Sequence, residues 1–103
     1  MSGYFSYKTL AISVGKFMPS RGDEVLFEKE HNKPHYKKLI CRDDRLLGAT
    51  FLDTDIDAGV FRYLIEKMVD IGAYKELLIN LPRETSLWLM LEAERKETIS
   101  LEA

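Results

Sequence analysis

Three groups of side chains in this sequence are of types that could do chemistry, and the acidic segment 53–57 (DTDID) is the most conspicuous. It superficially resembles a calcium loop. An EF-hand loop needs glycine at its sixth position and glutamate at its twelfth, where this chain has Ala58 and Leu64. An acidic start to a helix explains the same carboxylates, because they suit the positive end of the helix dipole. We therefore expect no calcium site.

The two histidines and the single cysteine form the other groups. His31 and His35 straddle a turn, with no cysteine or third histidine nearby to complete a zinc site, so we expect both on the surface. A redox role for Cys41 would need a helix N-terminus or a cationic neighbour. Arg42 lies on the opposite face of the same predicted strand, which favours a buried structural thiol. With no glycine-rich phosphate loop and no Ser-His-Asp spacing, the residues predict no catalytic, metal or cofactor site.

Five apolar residues are candidates for contacts with another protein. The run 87–91 (LWLML) would wrap more than half of a helix, whereas a helix at the end of a small domain should keep one polar face. Either this helix lies in a groove of the core, or it buries a second face against another molecule, which its Trp and Met favour. A loop over 17–22 presents two more apolar side chains. The interface candidates are Phe17, Met18, Leu87, Trp88 and Leu91.

Strands are predicted in the first half of the chain. Alternating or short apolar runs predict strands over 9–14, 24–28, 36–41 and 46–52. The polar connection between the last two predicts a β-hairpin, with Asp44 in the left-handed turn conformation. Gly48 is expected to mark a bulge or a close backbone approach.

Helices are predicted in the second half. One amphipathic stripe has the spacing i, i+3, i+4, i+7, its members being Phe61, Leu64, Ile65 and Met68. Thr54 with Asp57 fits a capping box at the start of that helix, and Gly72 is placed as its stop. A short helix follows over 74–79, and Pro82 fits the first position of a third. Strands followed by helices predict an α+β fold, an antiparallel sheet of about four strands covered on one side by two or three helices.

Length and charge bound the functional class. The 103 residues predict a single domain over 1–103, too short for a dinucleotide-binding fold or a TIM barrel. Fifteen Lys and Arg against seventeen Asp and Glu argue against nucleic-acid binding, and the one basic cluster, at 33–38, is expected to be a solvated surface. The sequence has no transmembrane run, no signal-peptide pattern and one cysteine, so we expect a cytoplasmic protein.

The centre of the chain resembles a known family. Residues 36–49 (YKKLICRDDRLLGA), followed by 57–60 (DAGV) and Leu-Ile at 64–65, resemble the C-terminal domain of FAD-dependent pyridine nucleotide-disulfide oxidoreductases. The branch is that of NADH oxidases, rubredoxin reductases and nitrite reductase flavoproteins. In that domain a Tyr-x-Lys-Leu strand turns into Leu-x-Gly-Ala, followed by an acidic helix start and an Ala-Gly pair.

The resemblance covers roughly residues 5–80. Residues 7–15 resemble the family's first strand after its FAD domain, and 74–78 its later short helix. The chain departs from the family at Asp53-Thr54, where Gly-Asp is often found. The helix over 82–98 has no matched counterpart.

The resemblance implies a domain that is not catalytic by itself. Such enzymes hold FAD and NAD(P)H in two other domains, each with a glycine-rich fingerprint that this chain lacks, so no cofactor is expected in this chain. The domain would pack against its own FAD and NAD(P)H domains, build a homo-oligomer and help dock the electron acceptor. An alternative is a stand-alone protein-binding or regulatory module that uses the Phe17-Met18 loop and the Trp88 helix. A third hypothesis is a small redox protein working through Cys41.

Overall fold

The computed structural model describes residues 11–29 and 36–102, with side chains described as far as residue 98. A four-stranded antiparallel sheet is followed by three α-helices, which confirms the predicted α+β class. The elements are β1 (Ala11–Gly15), β2 (Glu24–Lys29), β3 (Tyr36–Arg42), β4 (Arg45–Leu52), α1 (Ala58–Glu66), α2 (Lys75–Asn80) and α3 (Pro82–Glu102), with a 3-10 turn (Gly72–Tyr74) before α2. The first two residues of the predicted first strand, and both His31 and His35, lie outside the described residues.

The hairpin of β3 and β4 forms the centre of the sheet. Its two-residue turn places Asp43 at φ 52° and Asp44 at φ 61°, both in the left-handed region. This conformation matches the right-handed twist of two tightly connected strands. The prediction for Asp44 is confirmed, and Asp43 shares the conformation because aspartate tolerates it better than most residues.

The strand order β1-β4-β3-β2 places β1 and β2 at opposite edges of the sheet. The connection between them, residues 16–23, must therefore pass over the two central strands, and we call it the crossing loop. A Cβ atom at Gly48 would lie 1.9 Å from the carbonyl oxygen of Lys16, so only glycine fits beneath the loop. The register of β3 and β4 also shifts between Ile40 and Cys41, which confirms both expectations for Gly48. Ile40 lies on this face and is fully buried.

The opposite face of the sheet carries the hydrophobic core and the helices. The core side chains are Val14, Leu39, Cys41, Leu46, Ala49, Phe51, Ile56, Phe61, Leu64, Ile71, Leu78, Ile79 and Leu89. The rings of Phe51 on β4 and Phe61 on α1 meet edge to face, with centroids 5.0 Å apart. This is a favoured arrangement for two aromatic rings and fixes α1 on the sheet.

Helix α1 begins later than the sequence predicts. Asp57 is its N-cap, and the Asp57 Oδ1 accepts hydrogen bonds from the backbone N–H groups of Gly59 (2.9 Å) and Val60 (3.3 Å). The Thr54 hydroxyl instead donates to the carbonyl of Leu52. The predicted capping box at Thr54 is therefore wrong, because the helix begins only at Ala58 and Asp57 is the residue whose side chain caps it.

The other end of α1 differs as well. The helix ends at Glu66, and Met68 takes a φ of 51°, a left-handed conformation that turns the chain away. Met68 is therefore 64% exposed rather than part of the buried stripe. Gly72 is not the helix stop. It opens the 3-10 turn, where a Cβ atom would lie 2.8 Å from the carboxylate of Asp44.

Two lysines tie α2 to the sheet. The Lys75 ammonium lies 2.6 Å from the carboxylate of Glu24 and 2.9 Å from that of Asp44, and hydrogen bonds to these two groups raise the pKa of Lys75. Lys37 on β3 donates to the carbonyl of Asn80 at the end of α2. Because Lys37 is buried, the expectation of a solvated basic cluster is wrong at this position.

Candidate interaction surfaces

Helix α3 turns its largest apolar side chains away from the core. Leu87, Trp88 and Leu91 are 45%, 47% and 52% exposed. Their neighbour Ser86 is fully buried, and Thr85 is nearly so. Small side chains let the helix approach the core closely, so the inward strip is narrow and the bulky residues are left outside.

The inward hydroxyl groups are satisfied by hydrogen bonds. Ser86 donates to the carbonyl of Arg83 and Thr85 to the carbonyl of Leu77, each at 3.1 Å. Burial of these hydroxyls therefore leaves no unpaired donor. Of the apolar run, Leu89 is buried against the core. The helix thus uses only part of its apolar surface within the chain.

The end of α2 extends this exposed area. Leu77 and Leu81 are each about half exposed. The Tyr74 ring packs against the Trp88 indole, with ring centroids 5.1 Å apart. A shallow cavity of about 420 Å³ lies between Tyr74, Leu77 and Trp88. We call the area formed by Leu77, Leu81, Leu87, Trp88 and Leu91 the helical surface.

A groove of about 410 Å³ lies beside the helical surface, between α1 and α3. Aromatic rings line it, and charges of both signs surround it, the residues including Tyr63, Lys67, Asp70, Tyr74, Trp88 and Lys96. Burial raises the pKa of the Tyr63 phenol, and the nearby Glu94 and Glu97 add to this effect. Because positive and negative side chains both line the groove, it has no single charge that would attract a cation or an anion.

A second exposed apolar area lies on the side of the sheet opposite α1, α2 and α3. Phe17 and Met18 on the crossing loop are 55% and 66% exposed. The Lys38 ammonium donates to the carbonyl of Phe17 at 3.0 Å and lies 4.7 Å from the centroid of its ring. Val25 and Phe27 of β2 are exposed on the same side. We call Phe17, Met18, Val25 and Phe27 the loop surface.

Asp23 fixes the crossing loop that presents this surface. The Asp23 side chain is inaccessible to solvent and pairs with the Lys16 ammonium, and one oxygen lies 2.9 Å from the Nε of Arg42. The backbone N–H of Ser20 donates to the same carboxylate at 2.8 Å. The hydrogen bonds from Lys16 and Ser20 hold the pKa of Asp23 below its usual range. Arg42 also donates to the carbonyl of Arg21, so the loop is anchored to β3 twice.

Cys41 lies in the core and offers no reactive thiol. Its side chain is fully buried, and burial raises the pKa of the thiol to about 11, with Lys75 opposing the shift. A neutral, inaccessible thiol is a poor nucleophile. The predicted buried position is confirmed.

The acidic segment 53–57 has structural contacts. Asp57 caps α1, and the Asp55 carboxylate accepts a hydrogen bond from Arg83 at 2.6 Å. Within the described residues, no group of three or more His, Cys, Asp or Glu side chains is placed to hold a metal ion. In the same part of the chain, none of the helices combines the length and the apolar content needed to cross a membrane.

The structure separates the five predicted interface candidates into two sets. Leu87, Trp88 and Leu91 share the helical surface, whereas Phe17 and Met18 lie on the other side of the sheet. Sequence reasoning missed Leu77 and Leu81, because they lie in a mostly apolar segment that is typical of a buried core. One signal could have identified them. Leu78 and Ile79 already occupy the buried side of this six-residue helix, so the leucines on either side of them must lie further from the core.

No protein-family model matches the chain, and no curated protein matches it. Support for a function comes from the two surfaces and from the resemblance of the central segment.

Proposed function

We propose that this chain is a non-catalytic docking domain of an FAD-dependent NAD(P)H oxidoreductase, serving dimerisation and electron-acceptor docking. The observation that carries the docking role is the outward position of Leu87, Trp88 and Leu91 on α3. Monomeric proteins seldom expose a contiguous apolar patch of more than a few hundred Å², and larger patches mark sites of contact with another molecule. Tryptophan is also enriched among the residues that contribute most to binding at interfaces.

The flavoenzyme context is supported by the segment that resembles the family. Residues 36–49 form β3, a two-residue turn and the first five residues of β4, and 57–60 form the N-cap and first turn of α1. Strand, turn, strand and capped helix therefore follow each other in the order of the resemblance. Gly48, which takes the glycine position of Leu-x-Gly-Ala, lies directly beneath the crossing loop. This close contact explains why a glycine is required at position 48 of this chain.

Hydride transfer would take place in the FAD and NAD(P)H domains, since the cofactors carry that chemistry. Lys75 and Cys41, two groups in this domain with a raised pKa, have structural roles. Lys75 ties α2 to Glu24 and Asp44, and Cys41 fills the core. A rigid domain with an exposed apolar surface suits positioning of another protein better than reaction with a substrate.

Purification of the native protein tests this proposal. An antibody raised against the chain should capture a polypeptide well above 11.9 kDa that releases FAD on heating and oxidises NAD(P)H. The isolated chain, mixed with FAD and NADH, should bind no flavin and oxidise no NADH. Flavin reduction by the isolated chain, or a native polypeptide without flavin, contradicts the proposal.

A stand-alone protein-binding module is the second candidate, and the loop surface favours it. The ion pairs of Asp23 with Lys16 and Arg42 anchor the crossing loop, on which Phe17 and Met18 are exposed, and none of these three charged residues lies on α3. Exposed apolar areas on opposite sides of one small domain would let it bridge two proteins. Capture of a flavin-free native polypeptide near 11.9 kDa would favour this function over the flavoenzyme domain.

A further inference from the structure

On α3, charged residues of opposite sign flank the exposed Trp88 and Leu91 of the helical surface. Along α3 an outward seam is spaced by four, three and four residues, its members being Glu84, Trp88, Leu91 and Arg95. This spacing keeps side chains on one face of a helix. The seam therefore begins with a carboxylate, continues with two apolar side chains and ends with a guanidinium. Such a face is complementary to itself when reversed.

We propose that the helical surface binds a second copy of this chain, with the two α3 helices antiparallel about a twofold axis. This inference rests on the proposed docking function and names its partner. Antiparallel pairing places Trp88 against Leu91 of the second copy and Glu84 against Arg95 of the second copy. The twofold axis repeats each contact, so two apolar contacts lie between two ion pairs.

The charges at the ends of the seam select the antiparallel arrangement. Parallel α3 helices would place Glu84 against Glu84 and Arg95 against Arg95, and like charges that meet across an interface oppose association. Arg95 is exposed and pairs with Glu92 three residues earlier on its own helix, at 2.9 Å. An exposed pair of this kind is weak and can be shared with a carboxylate from another chain.

The apolar centre of the seam is already positioned for contact. The Tyr74 ring supports one side of Trp88, so the indole loses little freedom when a second surface covers it. Helix α3 has 21 residues and is about 31 Å long, which allows two copies to meet over several turns. Leu87 flanks the seam on the helix, and Leu77 and Leu81 extend its edge.

Charge reversal tests the arrangement. In sedimentation experiments over a concentration series, Glu84→Arg and Arg95→Glu should each raise the dimer Kd about tenfold, because like charges then meet at both ends. The double variant exchanges the two charges and should return the Kd to within about threefold of wild type. Mixing the two single variants should also restore association, since one copy then carries two arginines and the other two glutamates. Trp88, the only tryptophan, should emit at shorter wavelength in the dimer as water is excluded.

The matched controls are Phe17→Ala and Met18→Ala on the loop surface, which should leave the Kd unchanged. A wild-type chain that stays monomeric overturns the proposal. Single reversals without effect, or a Kd that responds to Phe17 or Met18 instead, also overturn it. If the double variant does not fold, the mixture of single variants decides, and a mixture that fails to associate counts against the proposal.

The two proposals fail in different ways. A monomeric chain removes the α3 pairing and with it the dimerisation role, but leaves the flavoenzyme context and the acceptor-docking role in place, because the same surface can contact an FAD domain. A native protein without flavin removes the flavoenzyme proposal and leaves the dimer intact.

Discussion

The Tyr74 ring packs against the Trp88 indole with the two planes inclined by 55°, which braces α3 against the 3-10 turn before α2. Tilted aromatic pairs of this kind are favoured over face-to-face stacking. Trp88 nevertheless stays 47% exposed. Trp88 is therefore held in place by the chain while remaining available to another molecule.

We expect Trp88→Ala to lower the free energy of unfolding by about 1 kcal/mol, because it removes the ring contact with Tyr74 and a side chain that is already 47% exposed. Urea denaturation followed by circular dichroism measures this loss, and sedimentation should show weaker self-association. Leu89→Ala is the matched core variant and should cost about 2–5 kcal/mol. Equal losses for the two variants would place Trp88 in the core.

We expect Asp57→Ala to lower the free energy of unfolding by about 1 kcal/mol, because it removes the side chain that caps α1. Thr54→Ala should have a smaller effect, since its hydroxyl bonds to Leu52 outside the helix. Thermal denaturation of both variants compares them directly. A larger loss of unfolding free energy for Thr54→Ala than for Asp57→Ala would support the capping box predicted from the sequence.

We expect Gly48→Ala to cost about 3 kcal/mol or more, because a Cβ atom there meets the backbone of Lys16 and the crossing loop must move. Gly59→Ala is the control. A Cβ atom at Gly59 comes within 3.2 Å only of the Asp57 side chain, so this change should be close to neutral. Comparable urea midpoints for the two variants would contradict the close packing of the loop on β4.

We expect Asp23→Asn to loosen the crossing loop, because the ion pairs with Lys16 and Arg42 are lost. Limited trypsin digestion should then cleave faster after Arg21 than in wild type. Asp55→Asn is the control, because it removes an exposed pair with Arg83 far from the loop. An unchanged cleavage rate at Arg21 would show that other contacts hold the loop.

The same carboxylate gives the loop a dependence on pH. Because the pKa of Asp23 is lowered on folding, its contribution to stability is present above the ordinary carboxyl pKa of about 3.9. That contribution is lost as the pH falls through the lower pKa of the folded chain. An acid-active protease should therefore cut the crossing loop of the wild type faster as the pH falls through the lowered pKa of Asp23. The Asp23→Asn variant should not show this increase in cleavage rate.

We expect Cys41 to resist a thiol reagent at pH 8 in the folded chain, because the side chain is buried and its pKa is about 11. Addition of urea should release full reactivity, which the colour reaction measures. Cys41→Ser should lower the free energy of unfolding by about 1–3 kcal/mol, since a hydroxyl would be buried in an apolar core. Fast labelling of the folded chain would revive the redox hypothesis.

The strands were predictable because their patterns are local. Leu39, Ala49 and Phe51 alternate with residues of the other face, and the short polar turn predicts the hairpin. The end of α1 was not predictable, because the apolar spacing continues through Met68 although the backbone turns left-handed there. Nothing in a methionine signals that conformation.

The candidate surfaces were only partly predictable. The run 87–91 excludes a helix with one polar face, but it does not say which side chains turn outward. The inward packing of Ser86 decides that, and it depends on how closely α3 approaches the core. The pairing of Asp23 with Arg42 depends on the strand order, which local sequence does not encode. The flavoenzyme context remains a prediction.

The crossing loop has a consequence for partial unfolding. Edge strands of a sheet can usually fray one at a time, because each is held by a single neighbour. Here, detaching β1 from β4 would pull the loop away from buried Ile40 and strain the Asp23 contacts at the start of β2. Opening one edge therefore exposes the centre of the sheet and loosens the other edge. We therefore expect the two edges to open together, although two strands separate them.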